Sequence, residues 1–391
     1  MEMLLYLLVI IFLAKVLAEL SERIGLSGIL GGIATGIILG IYLIEPDNEI
    51  ISFFAELGAI FLLFIVGYME VNIGEIRSTS VKALIPTAFQ ILTAFIFGFF
   101  LGMIFNLTYL QSLLLAAVFI PTGIGVTTKA LIDLNYLSTR PGSLIVSSSI
   151  FGDIAALLIV PVIVTLAITG DIPTGNQFIG ILAQFMLFII IISILGSKVF
   201  PLLFKYVQRM HTRESVFAFV ITAALFSAYL AEILGMHGII GAFIAGAFLS
   251  NVPLAKSKSV QNSVKSIGYG IFIPIFFVYI GISFNFDAMD VTSPLTLLII
   301  VFALAAKLIG GFLGSKVAGL DTYDSFIFAT GVMPRAGVEL VIISIAKDLN
   351  IIGDEIFSAI VLMIAVSVIV TPVALKYAIK LQKDQESESN G

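Results

Sequence analysis

Apolar runs long enough to cross a lipid bilayer follow one another along almost the whole chain. Crossing the hydrocarbon core, about 30 Å thick, takes roughly 20 apolar residues in a helix. Runs of that order occupy approximately 2–20, 26–44, 52–70, 82–106, 110–133, 143–169, 177–203, 214–234, 238–250, 264–284, 294–319, 323–347 and 354–380, the ninth being the shortest. Barrel strands would instead alternate apolar and polar residues over about ten positions. The sequence therefore predicts an all-α integral membrane fold of about thirteen transmembrane helices. The first run follows Glu2 rather than a basic segment and lacks a small-x-small exit, so it reads as a span and not as a cleaved leader. Charged residues make up 12% of the 391 and hydrophobic ones 59%, too little polar surface to coat a soluble chain. The same composition argues against disorder and against a nucleic-acid partner. The absence of cysteine excludes disulfides, iron–sulfur clusters and thiolate metal sites. No cofactor is expected.

The placement of charge sets an expected orientation. Arg23, Arg77, Lys82, Arg140, Lys205, Arg209, Arg213, Lys256, Lys258 and Lys265 fall in or beside every second connection, and Lys376, Lys380 and Lys383 lie near the C-terminus. The intervening connections carry Glu45, Asp47, Glu49, Asp171, Asp287 and Asp290, with Lys347 as their one basic residue. The positive-inside rule places the C-terminus in the cytoplasm, and an odd number of spans places the N-terminus outside the cell membrane. Residues 382–391 are polar and are expected to form a disordered cytoplasmic tail.

Two glycine-rich stretches match at a constant offset. Ala18, Leu20, Glu22, Gly25, Gly28, Ile29, Gly31, Gly36 and Leu39 correspond to Ala228, Leu230, Glu232, Gly235, Gly238, Ile239, Gly241, Gly246 and Leu249, and Pro121 corresponds to Pro334 at nearly the same spacing. Small residues at helix contacts could produce such a pattern by coincidence. Read as a repeat, residues about 1–170 match about 214–380, with 177–203 as a linker helix, all within one transmembrane domain over 1–381. Seven spans separate equivalent helices, so the six-helix halves face opposite ways, the pattern of secondary transporters with a midplane site.

Charge inside the spans marks candidate chemistry, since each such residue costs at least about 2.5–3.5 kcal/mol at the bilayer centre. Asp153 lies mid-span in SLIVSSSIFGDIAALLIVPV, with Ser149 one turn earlier on the same face. A carboxylate beside a hydroxyl suits a hard monovalent cation; the structural alternative is a carboxylate bonded to a neighbouring helix. Span 5 carries PTGIGVTTKAL, where Pro121 removes a helix bond and frees backbone carbonyls, those of Thr122 and Gly123 being the expected cation donors. Span 12 carries Pro334 in the matching position, so spans 5 and 12 are expected to be crossing broken helices. Lys307, mid-span in VFALAAKLIGGFLG, has Asp153 as its obvious partner. Arg335 and Glu339 stand four apart and can pair along one helix face or line a funnel; Glu70, at the end of span 3, is either interfacial or a funnel carboxylate.

These motifs, with GLSGILGGIATGIILG in span 2, LGAIFLLFIVGYME in span 3, Gly152–Asp153, Lys307 and PRAGVEL in span 12, resemble the monovalent cation:proton antiporter superfamily in its sodium/hydrogen exchanger and glutathione-gated potassium efflux branch. The resemblance covers nearly the whole chain. It implies a homodimer with a dimerisation domain and a mobile core of spans 4, 5, 6, 11, 12 and 13, and an aspartate at position 153 that binds cation and proton alternately. This chain departs from the pattern at two places. Electrogenic sodium antiporters of this kind carry an acid before that aspartate and electroneutral ones an asparagine, where Gly152 stands here. The electroneutral members also carry a glutamate five residues before the aspartate, pairing with the span 12 arginine, where Ser148 stands here. The expected activity is Na⁺ (or Li⁺) exchange for H⁺ without enzymatic catalysis, with K⁺/H⁺ exchange by the same architecture as the alternative and a passive cation channel as a remoter one. The expected partners are the monovalent cation, the proton and the lipid bilayer.

Overall fold

The computed structural model describes residues 2–45, 48–69, 81–169, 175–207, 214–234, 237–285, 287 and 290–389. These residues form helices, with no strand among them. Ten of the helices are long and apolar enough to cross a membrane, so this is a multi-pass membrane protein. Two shorter apolar helices, Gly28–Tyr42 and Gly238–Leu249, lie where the second and ninth apolar runs were read. The twelfth run is a pair of half-helices, Thr322–Gly331 and Gly337–Asp348.

The chain divides into two compact units, each discontinuous in sequence. The first takes Met1–Ser21, Gly28–Ser78 and Val164–Ser283. Glycines set its helix contacts. A Cβ at Gly36 would meet the Val278 carbonyl oxygen at 1.9 Å, and one at Gly281 would meet the Ile33 carbonyl oxygen at 2.1 Å, so Gly28–Tyr42 lies backbone to backbone on Ile273–Ile282. In the same way Gly67 sits on the Phe243 carbonyl (2.1 Å) and Gly246 on the Phe64 carbonyl (2.3 Å), closing Gly238–Leu249 onto Glu49–Met69. The two contacts are reciprocal: Gly238 and Phe243 stand 210 residues after Gly28 and Ile33. The Tyr68 hydroxyl donates to the Ala255 carbonyl, and Lys15 donates to the Tyr269 carbonyl, which lies in the π-turn Gly268–Phe272.

The second unit takes Glu22–Ser27, Thr79–Ile163 and Phe284–Gly391. Its main pair is Val81–Ile104 with Pro294–Val317. Gly310 and Gly314, one turn apart, admit the partner helix at Phe89, Gln90 and Pro86, and the Thr93 hydroxyl donates to the Ala306 carbonyl at 3.0 Å. That approach brings Lys307, one turn before Gly310, against Gln90. Helix ends are set locally. Thr108 and Gln111 form a reciprocal capping box before Tyr109–Phe119. Asn106, Asn135 and Asn350 take the left-handed conformation just past helix ends. An apolar cluster of Leu131, Ile145, Ile327, Phe328, Val332, Leu375 and Ile379 joins several of these helices.

The last helix, Asp354–Ser389, continues beyond position 382, where the sequence reading expects a disordered tail to begin. At position 382 the helix is bonded to its surroundings: the Tyr136 hydroxyl donates to Gln382 Oε1, and Gln382 Nε2 donates to Asp324 Oδ1 at 2.9 Å.

Candidate functional site

Two interrupted spans meet inside the second unit. Tyr109–Phe119 and Ile124–Asp133 are separated by residues 120–123, and Thr322–Gly331 and Gly337–Asp348 by 332–336. Pro121 and Pro334 lie within these gaps, where a missing N–H prevents the helix from closing. The freed groups pair across the gap instead. The Gly123 amide donates to the Pro334 carbonyl at 2.6 Å, and the Thr127 hydroxyl donates to the Gly331 carbonyl at 2.8 Å. Gly123 keeps the approach close: a Cβ there would lie 3.0 Å from both the Ala336 Cβ and the Arg335 carbonyl carbon, so one of them would have to give.

Asp153 sits beside the first gap, 3% exposed, on Arg140–Thr169. Its Oδ1 accepts from the Thr122 amide at 2.9 Å. This places a carboxylate just ahead of the N-terminus of Ile124–Asp133, the end that carries positive partial charge. Ser149, also buried, stands one turn earlier and donates its proton to the Ile145 carbonyl at 2.8 Å, which leaves its oxygen lone pairs available as acceptors. A Cβ at Gly152 would have only the Ile120 carbonyl oxygen within 4 Å, at 3.5 Å.

Lys307 is fully buried, and the three donors of its ammonium are taken by three neutral oxygens: Thr122 Oγ1 at 2.9 Å, Gln90 Oε1 at 3.2 Å and the Ile120 carbonyl. Asp153 is within its electrostatic reach. Thr122 thus touches both charges, with its amide on the acid and its hydroxyl on the ammonium.

Arg335 is also fully buried. Its Nη2 donates to the carbonyls of Phe119 (3.1 Å) and Ala303 (2.9 Å), its Nη1 to the Met333 carbonyl (3.2 Å), and its guanidinium lies 5.5 Å from the centre of the Phe119 ring. Arg335 therefore caps the last carbonyl of the half-helix Tyr109–Phe119 and Lys307 the carbonyl of the next residue, Ile120, at the end that favours cations. Glu339 caps the opposite kind of end: its Oε2 accepts from the Ala336 amide at 3.0 Å at the start of Gly337–Asp348. Its Oε1, and Nε of Arg335, have no hydrogen-bond partner among the described residues.

Several sequence expectations need adjustment against this geometry. Arg335 and Glu339 influence each other electrostatically, but the guanidinium spends its hydrogen bonds on carbonyls, because Arg335 lies in the gap and not on the helix that carries Glu339. The Gly123 carbonyl, expected as a cation donor, accepts from the Val126 and Thr127 amides as the cap of its half-helix. Thr122 contributes its amide and hydroxyl. Glu70 lies outside the described residues. Sequence reasoning missed Gln90 and Thr87 and noted Ser148 only as a departure from the family pattern; the three form a buried polar string ending at Lys307. The signal was available: Gln90 is the sole amide side chain in the interior of the apolar run 82–106, whose other amide, Asn106, ends it.

The family model for the transmembrane part of the sodium/hydrogen exchanger matches residues 8–380. A probable Na(+)/H(+) antiporter of Methanocaldococcus jannaschii is 29% identical over 378 residues, which cover 94% of this chain and 95% of the relative. The Na(+)/H(+)-K(+) antiporter GerN of Bacillus cereus is 27% identical over 370 residues, 94% of each chain. The solved structure of the sodium proton antiporter MjNhaP1 from M. jannaschii at pH 8 shares the fold, with a TM-score of 0.70 at 20% identity, covering 95% of this chain and 100% of that one. Matched over nearly its full length, the chain belongs to the sodium/hydrogen exchanger transmembrane family.

Proposed function

We propose that this chain is a secondary antiporter that exchanges Na⁺ (or Li⁺) for H⁺ by alternating access, cation and proton competing for Asp153. The observation that carries the reading is the placement of Asp153: a buried carboxylate on a gap in a membrane helix, held by a backbone amide and within reach of a buried ammonium. Ser149, and Thr122 in the gap, would complete the oxygen surroundings of a bound cation. Coupling follows from the cost of burying charge. An empty, ionised carboxylate is expensive to carry past apolar seals, so the site crosses only when a cation or a proton neutralises it. The unit that holds the site is the moving body in this scheme. Thirteen crossings, a cytoplasmic C-terminus and a homodimer complete the proposal. Its inverted repeat draws support from the reciprocal glycine contacts 210 residues apart.

A single carboxylate favours one proton per cation, since Gly152 supplies no second acid. Potassium is the second reading. The open surroundings of Gly152 leave room for a larger ion, and one relative bears the name of a Na(+)/H(+)-K(+) antiporter. The test is cation-driven proton movement in vesicles containing the purified chain, with Na⁺, Li⁺ and K⁺ compared. Asp153→Asn keeps an oxygen for the Thr122 amide and so preserves the local fold, yet it abolishes exchange. Retained exchange in that variant sinks the scheme, and proton flux that cannot be driven against a gradient would indicate a channel instead.

A further inference from the structure

The string Thr87–Ser148–Gln90–Lys307 has a fixed polarity. Thr87 Oγ1 is 2.6 Å from the Ala83 carbonyl, which can only accept, so the Thr87 hydroxyl donates there. Thr87 Oγ1 must then accept from Ser148 Oγ, 2.7 Å away. With its proton committed, Ser148 Oγ accepts from Gln90 Nε2, and the Ser148 carbonyl, 3.3 Å from the same nitrogen, allows no other orientation of the amide. Gln90 Oε1 is thereby turned to Lys307 Nζ at 3.2 Å. Thr87, Gln90, Ser148 and Lys307 are each at most 3% exposed, so little water competes. Ser148 lies on the helix that carries Asp153, five residues before it. The string therefore runs from the acid's own helix, through Val81–Ile104, to the ammonium.

We propose that Gln90 is a positioning residue: oriented by Ser148 and Thr87, it anchors the Lys307 ammonium so that the cation does not have to displace it from Asp153. This inference rests on the exchange reading above. The Ile120 carbonyl and the Thr122 hydroxyl hold the other two protons. Two carboxylates, Glu339 and Asp153, act on the ammonium electrostatically; one released from Gln90 is drawn toward them, and Asp153 is the one that the transported ion needs. Gln90 thus acts on cation affinity, not on the rate at which a loaded site crosses.

The experiment compares wild type with Gln90→Leu, Ser148→Ala and Thr87→Val, full-length and purified. Proton movement in vesicles is titrated with Na⁺, Li⁺ and K⁺ chlorides, and cation-dependent thermal stabilisation is titrated in detergent. Gln90→Leu should raise the half-saturating cation concentration about tenfold, the scale of one hydrogen bond to a charged group, with the maximal rate within about twofold. Ser148→Ala frees the amide to rotate and should give about threefold, and Thr87→Val less, so that the effect grades along the string. An unchanged half-saturating concentration in both Gln90→Leu and Ser148→Ala, or a fall in maximal rate alone, overturns the inference. Should Gln90→Leu fail to fold, Ser148→Ala decides, because it keeps the amide and removes one oxygen. If wild type moves no protons, the exchange reading fails. The stabilisation titrations then still read the anchor: matching midpoints for wild type and Ser148→Ala, or no stabilisation of wild type, overturn it.

Discussion

Replacing Arg335 by lysine isolates what the guanidinium does at the crossing. The charge is kept, but a single nitrogen replaces two. Nη1 and Nη2 together reach the Met333, Phe119 and Ala303 carbonyls, and the flat group lies over the Phe119 ring. One lysine nitrogen cannot occupy both donor positions, so at least one carbonyl is left unpaired in a fully buried place. One hydrogen bond to a charged group plus the ring contact amounts to about 2–4 kcal/mol. In detergent the variant should therefore melt at least about 4 °C below wild type. Arg335→Met leaves all three carbonyls bare, roughly 3–9 kcal/mol in total, and should yield little folded protein. The assay is thermal unfolding of purified protein, followed by fluorescence-detected size exclusion after heating. If Arg335→Lys melts within about 1 °C of wild type, the guanidinium is not the clamp described here.

Two further substitutions probe other contacts. Gly123→Ala puts a methyl 3.0 Å from the Ala336 Cβ and the Arg335 carbonyl carbon; separating the two backbones should cost about 1–3 kcal/mol, seen as a lower melting temperature, and unchanged stability would show that the gap is loose. Gln382→Ala removes the contacts to Tyr136 and Asp324; it should cost about 1–2 kcal/mol and speed proteolysis of the last helix, whereas unchanged cleavage would mean that other residues hold it.

How much of this was legible in the sequence varies with the type of contact. The two gaps were readable because proline acts locally: Pro121 and Pro334 remove a donor wherever the chain goes. Asp153 was readable because an acid inside an apolar run stands out. The partners of Lys307 were not, since they depend on which helix packs against its own. That is decided by Gly310 and Gly314, which admit Val81–Ile104 closely enough for Gln90 to meet the ammonium. The Arg335 pairing with Glu339 was expected from helical spacing, yet Arg335 lies before the half-helix begins. Its acceptors are backbone carbonyls, and no side-chain sequence records which carbonyls a broken helix sets free. The tail was expected to be disordered from its polarity alone, and the contacts of Gln382 come from residues 246 and 58 positions away.

The amide of Gly123 on the carbonyl of Pro334 has a consequence for motion. Each interruption supplies what the other lacks, so neither span can straighten without stranding a polar group in a medium that offers no replacement. Healing one is possible only if the other heals at the same moment. Those four half-helices, with Asp153, Lys307 and Arg335 bonded at their inner ends, are consequently tied into a single knot. In the exchange scheme proposed above, the bending therefore falls somewhere else along the chain.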